Sequence, residues 1–138
     1  MNVVKYQIED NSNEINISVN IITADGALVT ADVDLYINDK KSLKGESKNG
    51  EHYIGKSSLG IAKELTNGLL LIEADIDLKL IEESFWEDCF KNLSIKYFLN
   101  GGKVDKSFEL VPEDIKYKSD LGGTIKTKKY FFLKQVKS

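Results

Sequence analysis

Hydrophobic and polar positions alternate along most of the chain. A period of two predicts strands, because successive strand side chains point to opposite faces. The clearest runs are Ile15, Ile17, Val19 and Ile21, followed by Val29, Ala31, Val33 and Leu35, with Ala24-Asp25-Gly26 between them. A two-residue Asp-Gly turn would set Ile21 against Thr30, apolar beside polar. A three-residue loop sets Ile21 against Val29, Val19 against Ala31 and Ile17 against Val33. Parity therefore predicts a hairpin with the longer loop and with Gly26 left-handed in a bulge. The same test at Asn67-Gly68 favours a two-residue turn pairing Leu65 with Leu70, Ile61 with Ala74 and Leu59 with Ile76. A third hairpin is expected across Asn100-Gly101-Gly102, joining 95–99 to 104–111. Asn49-Gly50 marks one more turn, but its flanks are polar, so 38–56 reads as a weak exposed hairpin or a mobile loop.

One segment breaks the period. Ile81, Phe85, Cys89 and Leu93 fall four apart, with Trp86 and Phe90 beside them, which predicts one face of a short helix. Ser84-Phe85-Trp86-Glu87 reads as a capping box at its start, and Asn92 as its stop. A further helical turn is expected at Pro112-Glu113-Asp114. The final strand, 124–136, is apolar on both faces: Phe131 and Leu133 point one way, Tyr130, Phe132 and Val136 the other. Such a strand is expected to be covered on both sides, by this protein or by another. About eight strands with short turns and one helix predict an all-β fold, an antiparallel β-sandwich in a single domain over 1–138, with a closed barrel as the alternative.

Composition narrows the function classes. The 138 residues carry 41% hydrophobic and 30% charged side chains, a globular and not a disordered balance. Net charge is −3 with no arginine among the 19 basic residues, which argues against a nucleic-acid coat protein. The longest apolar run, Gly68–Ile72, is too short to span a bilayer, so no membrane insertion is expected. With one cysteine and no leader-like N-terminus, the default location is the cytoplasm and no disulfide is expected.

Catalytic and metal-binding patterns are sparse. A triad needs a histidine, and His52 stands in a polar Gly50-Glu51-His52-Tyr53 segment with no nucleophile elbow in the chain. Cys89 falls on the apolar stripe of the helix, where a thiol behaves as a small hydrophobe. The absence of spaced Cys or His pairs leaves only oxygen ligands. Asp32 and Asp34 share the polar face of one strand, and Glu73, Asp75 and Asp77 that of another. Were the two strands neighbours, five carboxylates would form an acidic patch able to take a cation. Residues two apart on a strand diverge by about 7 Å and do not chelate unaided. Solvated strand faces are the simpler reading, and neither a metal nor a cofactor is expected.

Charge is segregated along the chain. Residues 1–37 carry one lysine and six acids, and residues 91–138 carry 11 lysines and five acids. Lys126, Lys128, Lys129, Lys134 and Lys137 crowd the last strand among Tyr130, Phe131 and Phe132. That strand could stack single-stranded nucleic acid, but an acidic strand beside it with cross-strand Lys–Asp pairs is favoured. The sequence reads best as a non-enzymatic interaction domain, a subunit, adaptor or accessory component whose partner is another protein or a second copy. The candidate partner-binding residues are Lys126, Lys128, Tyr130, Phe132 and Lys134 on the last strand, and Phe85, Trp86 and Phe90 on the helix. The alternatives are a glycan- or small-molecule-binding module using Tyr36, Tyr53 and Trp86, and an immunity-type inhibitor protein.

Overall fold

Alternating side chains build ten strands and one short helix in the computed structural model, which describes residues 2–48, 50–118 and 122–136. The elements are β1 (Val3–Glu9), β2 (Glu14–Ile22), β3 (Leu28–Ile37), β4 (Lys40–Glu46), β5 (Tyr53–Ile61), β6 (Leu69–Asp77), α1 (Trp86–Asn92), β7 (Ser94–Asn100), β8 (Lys106–Glu109), β9 (Ile115–Lys118) and β10 (Thr124–Val136). The larger sheet runs β1-β10-β6-β3-β4, with β9 also on β10; the smaller runs β5-β2-β7-β8. Both are open, so the protein is a β-sandwich and not a closed barrel. Every pairing is antiparallel except that of β1 with β10, which is parallel. No helix among the described residues is long and apolar enough to cross a membrane.

The inner faces of the sheets meet in one hydrophobic cluster that includes Ile15, Ile17 and Val19 from β2, Val33 and Leu35 from β3, and Phe131 and Leu133 from β10. Phe131 anchors it with edge-on contacts to Tyr97 and Phe108, at centroid distances of 5.9 and 4.9 Å. The final strand has the expected bounds, and Phe131 and Leu133 are its core residues. The turn at Pro112–Asp114 is helical as expected.

Two expected hairpins are absent. β2 pairs with β5 and β7, while β3 pairs with β4 and β6, so the Ala24-Asp25-Gly26 link crosses between sheets. Gly26 is left-handed, with φ at 92°, in a turn closed by the Ala27 N–H donating to the Ala24 carbonyl. The link at Asn67-Gly68 also crosses, from β5 in the smaller sheet to β6 in the larger. Parity reports which side of a strand is buried. It is satisfied equally by strands side by side and by strands facing each other across the core, and here the second arrangement holds.

The hairpin across Asn100-Gly101-Gly102 does form, pairing Lys96 with Glu109 and Leu99 with Lys106. The segment expected as a weak exposed hairpin or a mobile loop contains an exposed edge strand, β4, which pairs with β3 through a register shift and not with β5, which lies in the smaller sheet. Asn38 and Asp39, with φ at 51° and 65°, make the two-residue turn joining β3 to β4. The turn at Asn49-Gly50 includes Asn49, which lies outside the described residues, as does Lys137. The capping box is not formed: Ser84 lies inside a 3-10 turn over Glu83–Phe85, and the N-cap positions, Glu82 and Phe85, have no side-chain capping bond.

Candidate functional site

The outer face of the larger sheet gathers most of the residues singled out in the sequence. Odd positions of β10 point into the core, so Lys126, Lys128, Tyr130, Phe132 and Lys134 point outward. Register sets their neighbours. Glu73 on β6 lies between Lys128 on β10 and Asp32 on β3; Leu71 lies between Tyr130 and Asp34; Leu69 lies between Phe132 and Tyr36. The outer strands extend these rows, with Val3 beside Tyr130, Lys5 beside Phe132, Leu43 beside Asp34 and Lys41 beside Tyr36.

Two of these rows form a largely apolar strip, from Val3 and Tyr130 through Leu71 and the carboxylate of Asp34 to Leu43, and from Phe132 through Leu69 to Tyr36, flanked by Lys5 and Lys41. Its centre is shielded although it points away from the core. Leu71 is 7% exposed and Asp34 only 4%. Leu43, at 55%, stands open at the edge. No other described strand or helix is paired or packed over this face.

Below the strip the face is charged. Lys126 Nζ lies 3.1 Å from Asp75 Oδ2 and Lys128 Nζ 3.9 Å from Glu73 Oε2, the cross-strand pairs expected of a basic strand beside an acidic one. Both pairs are about half exposed, so each contributes roughly 1 kcal/mol or less. The β3 and β6 carboxylates are indeed neighbours. One oxygen from each of Asp32, Asp34 and Glu73 lies within 4.8 Å of the others. Lys41 approaches Asp34 at 3.7 Å. Burial, then the charges of Asp34 and Glu73, push the Asp32 carboxyl up to about 6, with Lys41 opposing. Its Oδ1 is buried without a hydrogen-bond partner. These three are the residues whose spacing could suit a divalent cation, although Lys41 and Lys128 already supply positive charge beside them.

The helix patch is separate. Trp86 is a half-buried strut: its indole N–H is shared between the Leu78 and Ile81 carbonyls, both at 2.9 Å, and its ring packs on Gly123. Phe90 is half-buried against the core. Phe85 is 55% exposed and, with Ile22, Ile81 and Cys89, lines an apolar cleft of about 410 Å³. None of the cleft residues belongs to the larger sheet.

No family model matches this chain, and no curated protein or solved structure matches it either. The remaining candidates are therefore placed by geometry alone. Tyr36, Tyr53 and Trp86 do not form one platform: Tyr36 is on the outer face of the larger sheet, Tyr53 on β5 of the smaller, and Trp86 at the start of α1. His52 Nε2 donates to the Ala27 carbonyl at 3.0 Å, and His52 is not among the residues around Cys89.

A buried ion pair went unread in the sequence. Lys129 points inward, where its Nζ meets Asp114 Oδ2 at 2.9 Å and the Glu109 carbonyl at 3.1 Å. Parity was the available signal, since Lys129 shares the odd face with Phe131 and Leu133.

Proposed function

We propose that this protein is a non-enzymatic interaction domain that docks through the outer face of its larger sheet. The observation carrying this reading is the largely apolar strip, interrupted at Asp34, with a charged field beside it and no described strand or helix paired over it. An outward sheet face facing only water ordinarily alternates to polar residues. Here Val3, Leu43, Leu69, Leu71, Tyr130 and Phe132 occupy outward positions, with Val3 and Leu43 exposed at the two edges, Leu69, Tyr130 and Phe132 half-buried and Leu71 buried between them, and apolar side chains gathered on a sheet's outer face mark interaction sites. Aromatic residues and a desolvated centre ringed by polar groups are the features that carry docking energy.

The test compares the native chain with Lys126→Glu/Lys128→Glu and with Phe132→Asp in affinity capture from the source extract. A protein retained by the native chain and lost by both variants is the expected result. The same set of retained proteins for all three chains would overturn the reading. An immunity-type inhibitor is the form this function takes if the retained protein is an enzyme that loses activity on binding.

A second reading, a ligand-binding module, is favoured only by the cleft at α1. Its volume of about 410 Å³ and apolar lining suit a small apolar molecule better than a glycan. Quenching or a shift of Trp86 emission by such a molecule, abolished in Phe85→Asp, is the result this reading requires.

A further inference from the structure

We propose that Lys129 and Asp114 condense into a side-chain amide, a covalent cross-link between β10 and the 3-10 turn over Pro112–Asp114. This modification site lies in the core and is independent of the docking reading. Lys129 Nζ stands 2.9 Å from Asp114 Oδ2, and the two side chains are 3% and 1% exposed. Reacting groups held about 3–3.5 Å apart have made most of their approach before reaction begins.

The surroundings set this contact apart from an ordinary ion pair. A buried carboxylate normally has its oxygens satisfied. Here Oδ2 takes both the Lys129 ammonium, at 2.9 Å, and the Val111 N–H, at 3.0 Å. Oδ1 is buried and has no hydrogen-bond partner. On the amine side, Nζ also donates to the Glu109 backbone carbonyl at 3.1 Å, which fixes its direction. Tyr97 shares the pocket, with its ring centre 5.9 Å from Nζ and its hydroxyl also buried without a partner. The Lys126–Asp75 and Lys128–Glu73 pairs on the outer face are about half exposed, and water competes there for both groups.

Each neighbour has one part in the condensation, and until the bond forms the two groups hold each other as an ion pair. One ammonium proton passes to the carboxylate, leaving a neutral amine and a carboxylic acid protonated on Oδ1. A dry site favours that exchange, because it removes two desolvated charges. The Nζ lone pair then attacks Cγ, and the carbonyl π electrons move onto Oδ2, where the Val111 N–H meets the developing negative charge. A second proton passes from nitrogen to Oδ1, the Cγ–Oδ1 bond breaks, and Oδ1 leaves as water. The electron pair on Oδ2 re-forms the carbonyl. The third proton stays on nitrogen as the amide N–H, donated to the Glu109 carbonyl. One ammonium and one carboxylate thus become one amide and one water, with no co-reactant. The oxygen that is lost is the one without a partner, and the Val111 and Glu109 hydrogen bonds carry over to the product. The bond joins residues 15 apart in the chain, so it also restricts the unfolded state.

The experiment is intact mass spectrometry of the native chain under denaturing conditions, followed over days at neutral pH, with a proteolytic fragment map. The expected mass is one water below that of the 138-residue sequence. The expected map contains a branched fragment joining the peptides that hold Lys129 and Asp114. Lys129→Arg keeps a cation beside the carboxylate but does not condense, and Asp114→Ala removes the acceptor, so both are expected at full sequence mass. A native chain that stays at full mass overturns the proposal. A loss of water that persists in Lys129→Arg, or that maps to any other residue, overturns it too. Where a variant fails to fold, judged by circular dichroism, the native fragment map decides: a branched fragment supports the cross-link, and two linear peptides refute it.

Discussion

Lys129 and Asp114 meet at 2.9 Å inside the sandwich, with their side chains 3% and 1% exposed. The pair ties the middle of β10 to the 3-10 turn before β9, and the same carboxylate oxygen accepts the Val111 N–H at 3.0 Å. The Lys129 ammonium also lies 5.9 Å from the centre of the Tyr97 ring. Burial pushes the Tyr97 phenol up, and the Asp114 charge adds to this, against the Thr127 hydroxyl. The two charges are thus desolvated together, and neither can lose its partner cheaply.

Lys129→Met is expected to cost about 3–5 kcal/mol, because it strands a buried carboxylate. Lys129→Met with Asp114→Asn should recover much of that loss, since the amide carries no charge and can still accept from Val111. Urea denaturation of both variants checks this. A double variant no more stable than Lys129→Met alone would show that the cost is not the unpaired charge.

Asp32 makes stability pH-dependent in the opposite sense to a salt-bridged carboxylate. Its folded value of about 6 lies above the ordinary 3.8, so between these values the folded state holds more protons than the unfolded. Its contribution is most favourable below the unfolded value and is lost as pH rises toward 6, reaching about 1 kcal/mol after allowance for solvent screening. Asp32→Asn should therefore stabilise the fold at pH 7 and do little at pH 4. Thermal unfolding of both chains at pH 7 and at pH 4 is the measurement. Equal gains at both pH values would refute it.

Trp86 is expected to emit at a blue-shifted wavelength, since its indole is held by two carbonyls and by Gly123. Trp86→Phe removes both bonds and should cost about 1–3 kcal/mol. Gly123→Ala should cost a similar amount: φ is 64°, and the added Cβ would lie 2.8 Å from the indole ring. Solvent-exposed emission in the native chain would contradict the strut role.

Local signals carried well where one strand's burial decides the outcome. The bounds of β10, the faces of Phe131 and Tyr130, and the helix stripe on Cys89 all follow from alternation or four-residue spacing. The Asn100-Gly101-Gly102 hairpin also followed, because its strands are true neighbours. β4 was read only as an arm of a weak exposed hairpin or as loop, because its polar side chains lie on an edge strand; the signal that its partner is β3 was the Asn38-Asp39 turn, not a hydrophobic face.

The amino-acid sequence by itself determined that the chain alternates into a sandwich, that charge is segregated, and that Lys126 and Lys128 would suit an acidic neighbour. It did not determine which strands adjoin, because burial of a side chain is satisfied by any apolar surface, beside it or across the core. Only the tertiary structure placed β6 between β10 and β3. That adjacency set Glu73 between Lys128 and Asp32, crowded three carboxylates within 4.8 Å and put Tyr130, Leu71, Asp34 and Leu43 into one row. It also turned Lys129 inward to Asp114, through a pairing between residues that no local pattern connects.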